Sequence, residues 1–168
     1  MKRLGLIVFA LLLSAGAGTG PSRAQDALVE FQVLNPDLAM KLAQATMAAC
    51  RENDFQVAVA VVDRFGVPQA MLRDRYAGPH SPDTATRKAW TAVSFRTNTT
   101  ELVDNTKSGT PQAAARDVTN ALMLGGGVLV RAGGTMVGAV GVSGAPSGSE
   151  DAACAEAGID AIRGDLPL

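Results

Sequence analysis

Val57-Ala58-Val59-Ala60-Val61-Val62-Asp63-Arg64-Phe65-Gly66 is the stretch on which the fold turns. Its first six residues are β-branched or alanine. The run is too short for a helix and lacks polar alternation, so it predicts a strand buried on both faces. Asp63 to Gly66 is turn chemistry. Val67 to Arg73 then returns as a second strand, and Pro68 near its start points to an edge or an irregularity. Together these residues predict an antiparallel hairpin.

Upstream, Asn35-Pro36-Asp37 reads as a helix start: cap, first-turn proline, first-turn acid. Leu38, Leu42, Ala45 and Ala49 follow at helical spacing, with Cys50 beside them, and the helix should stop near Asn53. Downstream, the loop 77–82 precedes a helix in which Ser81 is the expected cap and Pro82 the first residue. Ala85, Ala89, Ala92 and Val93 form its buried stripe, with Arg87 and Lys88 beside it. Short helices are expected around Glu101 to Asn105 and from Thr110-Pro111 through Val118. Gly125-Gly126-Gly127 leads into a strand from Val128 to Arg131. Gly133-Gly134 is a hairpin turn, and Thr135 to Val142 is the next strand. Its interior Gly138 and Gly141 imply close approach by another backbone or a ligand. Ser149 is the expected cap of a last helix whose apolar face carries Ala152, Ala155, Ile159 and Ile162, with Cys154 alongside. Helix, two strands, helices, two strands, helix make an α+β domain with an antiparallel sheet.

The N-terminus carries a different signal. Lys2 and Arg3, the apolar run Leu4 to Leu13, and Ser22-Arg23-Ala24 with small residues at −3 and −1 read as a secretory signal peptide over 1–24. Cleavage is expected between Ala24 and Gln25, which leaves one domain over 25–168. The competing reading is a membrane anchor, because Leu4 to Pro21 is uncharged and about long enough to span. Gly16, Gly18, Gly20 and Pro21 break its second half. The expected product is exported, to a periplasm or outside the cell, with no membrane span after cleavage.

Removing the leader takes three cations from the 15 basic side chains and none of the 16 acidic ones. The acidic remainder, without a long basic run, disfavours nucleic acid as a partner. Export also changes the meaning of Cys50 and Cys154. In an oxidising compartment an even pair reads as a disulfide. In the cytosol the same pair would read as two buried core residues.

Most catalytic templates fail on inventory. His80 is the single histidine, so a zinc site of several histidines cannot form within one chain. Gly141-Val142-Ser143-Gly144-Ala145 misses the nucleophile pattern G-x-S-x-G by one position. The loop Gly144 to Ser149 resembles a phosphate cradle but lacks the lysine, and Glu150 and Asp151 sit where an anion would dock. What is left is Arg73, Arg75, Tyr76, His80, Arg87 and Lys88, drawn from a strand end, a loop and the first turns of a helix. Such a set could hold the carboxylates of a small ligand or the propionates of a haem, with His80 able to ligate the iron. The bland alternative is a solvated basic rim with a loop histidine.

The hairpin Val57 to Gly66, together with Ala77-Gly78-Pro79-His80-Ser81, Arg87-Lys88-Ala89-x-Thr91-Ala92, Gly125-Gly126-Gly127, Val137 to Ala145 and Asp151-x-x-Cys154-Ala155-x-Ala157-Gly158, resembles the GlcG/HbpS family of haem-degrading or haem-binding-like domains. The likeness covers roughly residues 36 to 163. It implies a five-stranded antiparallel sheet flanked by helices, in a profilin-like layout. It places the first and last helices near each other, which would bring Cys50 close to Cys154 and support the disulfide. It also implies a homo-oligomer and a theme of extracellular haem binding, while other members sit beside enzymes of glycolate or diol use. The expected function is an exported accessory protein that binds haem or a related anionic small molecule. The alternatives are an enzyme acting on a hydroxy acid or aldehyde, and a structural oligomerisation module.

Overall fold

The buried strand is β1, Ala58–Asp63, and its composition explains the layering. Val57, Val59 and Val61 point into a large core on one side of the sheet. Ala58, Ala60 and Val62 point to the other side, where small alanines leave room for a helix to lie close. A computed structural model describes residues 27–167, so the signal peptide and its cleavage point lie outside the described residues. Gln32–Leu168 forms one compact unit.

Helix α1, Pro36–Arg51, starts where the sequence predicts, with the Asn35 side chain accepting from the Leu38 N–H at 2.8 Å. β1 turns into β2, Pro68–Arg73, through an Asx turn in which Asp63 Oδ1 accepts from the N–H groups of Phe65 and Val67. α2, Ser81–Phe95, and the short α3, Thr99–Asn105, follow. A 3-10 turn at Ala113–Asp117 stands where a further helix was expected. β3, Gly127–Ala132, and β4, Thr135–Ser143, form the second hairpin, and α4, Gly148–Ala161, closes the fold.

The sheet is antiparallel with order β2-β1-β4-β3. β1 pairs with both β2 and β4, and a register shift at Val61/Val62 sits opposite Pro68 on the edge strand. α1 and α4 cover the valine face, packed so tightly that a Cβ on Gly158 would stand 1.9 Å from Thr46 Oγ1. α2 covers the alanine face. A Cβ on Gly141 would stand 2.0 Å from the Ala85 carbonyl oxygen, so only glycine lets α2 rest on β4. The close approach expected at the interior glycines is therefore made within the chain.

Several expectations are corrected. Four strands pair among the described residues, not five. Ahead of β3, the Leu122 N–H donates to Thr91 Oγ1 and the Leu124 N–H to the Leu122 carbonyl, while the Gly126 carbonyl accepts from the Val142 N–H of β4. Ser81 does not cap α2. The cap is His80, whose side chain makes no cap hydrogen bond, and Ser81 is buried one position inside the helix. The cap of α4 is Ser147, accepting from the Glu150 N–H, two residues before the expected Ser149.

Cys50 and Cys154 form a disulfide joining α1 to α4, with Cα atoms 5.2 Å apart. The bridge joins residues 104 apart in sequence, and closing so long a loop contributes about 4–5 kcal/mol in the chain-entropy model, often less in practice. Unfolded, unreduced protein should therefore show no free thiol, and reduction should lower the urea midpoint by a corresponding amount. Two reactive thiols per chain would refute the pairing.

Candidate functional site

Seating α2 on small residues has a consequence for Lys88. Ala85, Lys88, Ala89 and Ala92 follow the i, i+3, i+4, i+7 spacing of one helix face, so the lysine is carried down with the alanines. It is 1 % exposed. Its Nζ donates to the Val142 carbonyl at 2.9 Å and to Asp151 Oδ2 at 2.7 Å, bridging α2 to the first turn of α4 at the end of β4. Asp151 is 3 % exposed, and its Oδ1 accepts from the Ala145 N–H. Gly126 closes over the pair: its φ is +116°, and a Cβ there would meet Asp151 Cβ at 2.7 Å and Lys88 Nζ at 3.0 Å. Burial pushes the Lys88 ammonium below the ordinary lysine range and the Asp151 carboxyl above the ordinary carboxylate range. Their mutual attraction opposes both shifts.

Above this pair opens a cleft of about 760 Å³, within the size range of small-molecule sites. The floor holds Lys88, Asp151 and Ser143. Ser81 and Thr84 from the first turn of α2 form one wall. Ser147 and Gly148 from the start of α4 form another, so two helix N-termini, each a partial positive charge, face one space. Phe55, Leu124 and Pro146 supply apolar surface, and Tyr76 and His80 stand exposed at the mouth. The His80 imidazole lies over Gly78, where a Cβ would be 2.6 Å from Cε1.

Of the six residues singled out in the sequence, the cleft brings together Tyr76, His80 and Lys88. Arg73, Arg75 and Arg87 lie outside its lining. Arg73 Nη2 donates to the Ala77 carbonyl and so braces the loop that carries Tyr76 and His80. Arg87 donates to the carbonyls of Asn120 and Ala121. Lys88 is a buried ion-pair member rather than a rim cation. Sequence reasoning missed Asp151 and Ser81 as site residues. The signal for Asp151 was present, since a lysine within an alanine stripe needs a buried acid. No group of three or more His, Cys, Asp or Glu among the described residues could hold a metal ion. No helix among them is long and apolar enough to cross a membrane.

The family model for haem degrading protein HbpS-like matches residues 34–160. The crystal structure of a double mutant of Streptomyces reticuli HbpS superposes with a TM-score of 0.76 at 38% identity, covering 89% of this chain and 99% of that one. The crystal structure of a PduOC:heme complex gives a TM-score of 0.71 at 29% identity, covering 77% and 95%. An uncharacterized 15.0 kDa protein in the dhaT-dhaS intergenic region of Citrobacter freundii is 35% identical over 125 residues, covering 73% of this chain and 87% of its own.

A buried pair is costly to break from one side, because the partner is left charged and unsolvated. Lys88→Met should cost about 3–5 kcal/mol in urea unfolding. Adding Asp151→Leu should recover at least half of that loss. A single-variant cost below about 1 kcal/mol would mean that water reaches the pair.

Proposed function

The chain belongs to the family of HbpS-like haem degrading proteins, and from that premise we propose that it is an exported accessory protein binding haem, or a related anionic small molecule, in the cleft above Lys88 and Asp151. One observation carries the reading: the exposed His80 imidazole and Tyr76 phenol stand at a cleft that two helix N-termini also line. The donor set suits the group. His80 and Tyr76 are both side chains that ligate haem iron, and Phe55, Leu124 and Pro146 offer apolar surface to a porphyrin. The helix ends favour carboxylates. Bound haem would supply a redox-active iron. The chain's own part is to hold the ring, present a ligand at the mouth and receive the propionates deeper in.

Export is supported by the leader-like N-terminus and by the Cys50–Cys154 bridge. A homo-oligomer belongs to the same proposal, supported by the exposed apolar Val67 and Met71 at the open edge beside β1. A second reading, an enzyme acting on a hydroxy acid or aldehyde, is favoured by the buried Lys88–Asp151 pair at the cleft floor, since perturbed ionisable groups gather where proton transfer is done.

Light scattering of the exported protein should give a multiple of the mature mass, with an intact mass that begins at Gln25. A monomer at micromolar concentration, or a retained leader, would count against those parts of the proposal. Haemin titration tests the ligand. The wild type should develop a saturable Soret band, and His80→Ala should change the band's position. Arg87→Ala should leave affinity unchanged, because its guanidinium holds the 120–121 backbone. If haemin binds no better than to an unrelated exported protein of similar charge, the haem assignment falls.

A further inference from the structure

Ser81 is the first residue of α2, fully buried, and its hydroxyl has no hydrogen-bond partner among the described residues. A buried hydroxyl without a partner is rare, because it gives up water and gains nothing in exchange. The hydroxyl is not used as a helix cap, since the cap position is His80, and no side chain caps α2. Pro82 follows, so the second N–H of that turn is absent and Ser81 Oγ is a side-chain donor near the helix end. Ser81 also forms part of the cleft wall.

Lys88 carries a second unsatisfied donor. An ammonium has three hydrogens, and Nζ makes two hydrogen bonds, to Val142 and Asp151. Both oxygens of Asp151 are engaged, one by Lys88 and one by the Ala145 N–H. The floor pair is thus neutral as a whole, with its acceptors occupied and a donor left over. Across the cleft, Ser147 and Gly148 open the 14-residue helix α4 toward the same space. Asp54, the other carboxylate of the lining, is exposed at the surface and solvated. The unsatisfied donors at depth are thus Ser81 Oγ, the third Lys88 hydrogen and the uncapped start of α2, while α4, capped by Ser147 and carrying Glu150 and Asp151 in its first turn, contributes only the dipole of its N-terminus.

We propose that the cleft ends in an oxyanion subsite, formed by Ser81 Oγ, Lys88 Nζ and the N-termini of α2 and α4, that takes the carboxylate of a small organic acid or of a haem propionate. The subsite deepens the reading of the cleft as the ligand site and rests on it. A planar carboxylate fits this donor set because it offers two acceptor oxygens and one delocalised charge. Hydrogen bonds to an ionised group are also about twice as strong as neutral ones.

The test uses the whole mature chain, isotope-labelled, titrated with sodium acetate at constant ionic strength and followed by NMR. Saturable shifts should appear at the amides of residues 81–84 and 147–150. Ser81→Ala should weaken acetate about tenfold, the loss of one charge-assisted hydrogen bond, while its urea midpoint stays level or rises because an orphan hydroxyl has gone. Absence of saturable shifts, or unchanged acetate affinity in Ser81→Ala, overturns the proposal. A Ser81→Ala chain of clearly lower stability also overturns it, because the hydroxyl would then serve the fold. Haemin added to the same samples separates the two sources. If haemin displaces acetate and is itself weakened by Ser81→Ala, the subsite is for a propionate. If acetate and haemin bind together, it is for a free small acid. Acetate saturation without haemin binding leaves the subsite standing and removes the haem reading. Haemin binding that ignores Ser81→Ala, with no acetate shifts, does the reverse.

Discussion

A lysine ammonium and an aspartate carboxylate 2.7 Å apart, both withdrawn from water, tie the start of α4 to the middle of α2 across the end of β4. Neither charge would be tolerated alone at that depth. Their pairing fixes the distance between two helices that lie on opposite faces of the sheet. The cleft lies between the N-termini of those helices, and the ion pair closes its floor. Gly126 completes the arrangement by bringing its backbone within contact of both side chains, at a φ that disfavours any residue with a Cβ.

That pair depends in turn on the unequal faces of β1. Valines fill the side covered by α1 and α4, where two helices leave a broad space to occupy. Alanines and Gly141 line the side under α2, where a single helix must sit close for the Lys88 side chain to pass the end of β4. A larger residue at 141 would lift α2 from the sheet and draw Lys88 away from Val142 and Asp151. The valine–alanine alternation thus decides both the layering and the depth of the site.

Much of this was legible in the sequence because it is local. The Asn35-Pro36 start, the buried run 57–62, the Asp63 turn and the Gly133-Gly134 hairpin are each determined by residues a few positions apart. The α4 cap slipped by two residues because Ser147 and Ser149 satisfy the same local rule, and the α2 cap by one because His80 takes the position without a side-chain bond and Ser81 is drawn into the helix. The fifth strand was an inference from resemblance, with no stretch of sequence behind it, and four strands pair among the described residues. The site was harder to read. Arg87 and Lys88 are neighbours of the same charge, yet the turn of the helix sends one to brace the 120–121 backbone and the other into the interior. Ser81 gave no signal at all, since an unpartnered hydroxyl is a property of the packed molecule alone.

The remaining stabilising features hold the cleft walls in place before any ligand arrives. Asp74, itself buried, accepts from Arg51 in the last turn of α1 and from the Val57 N–H, which fixes the chain on either side of residues 54–56. The Cys50–Cys154 bridge pins that same end of α1 to α4, whose first turn forms the facing wall. Arg73 holds the loop bearing Tyr76 and His80. The mouth is thus braced by a local contact, and the 54–56 segment, the α4 wall and the floor by separate contacts between distant parts of the chain. A cleft so restrained loses little conformational freedom on binding, which is the condition under which a few well-placed donors give useful affinity. Unsatisfied donors at depth lower the stability of the empty protein, and these anchors are what offset that cost.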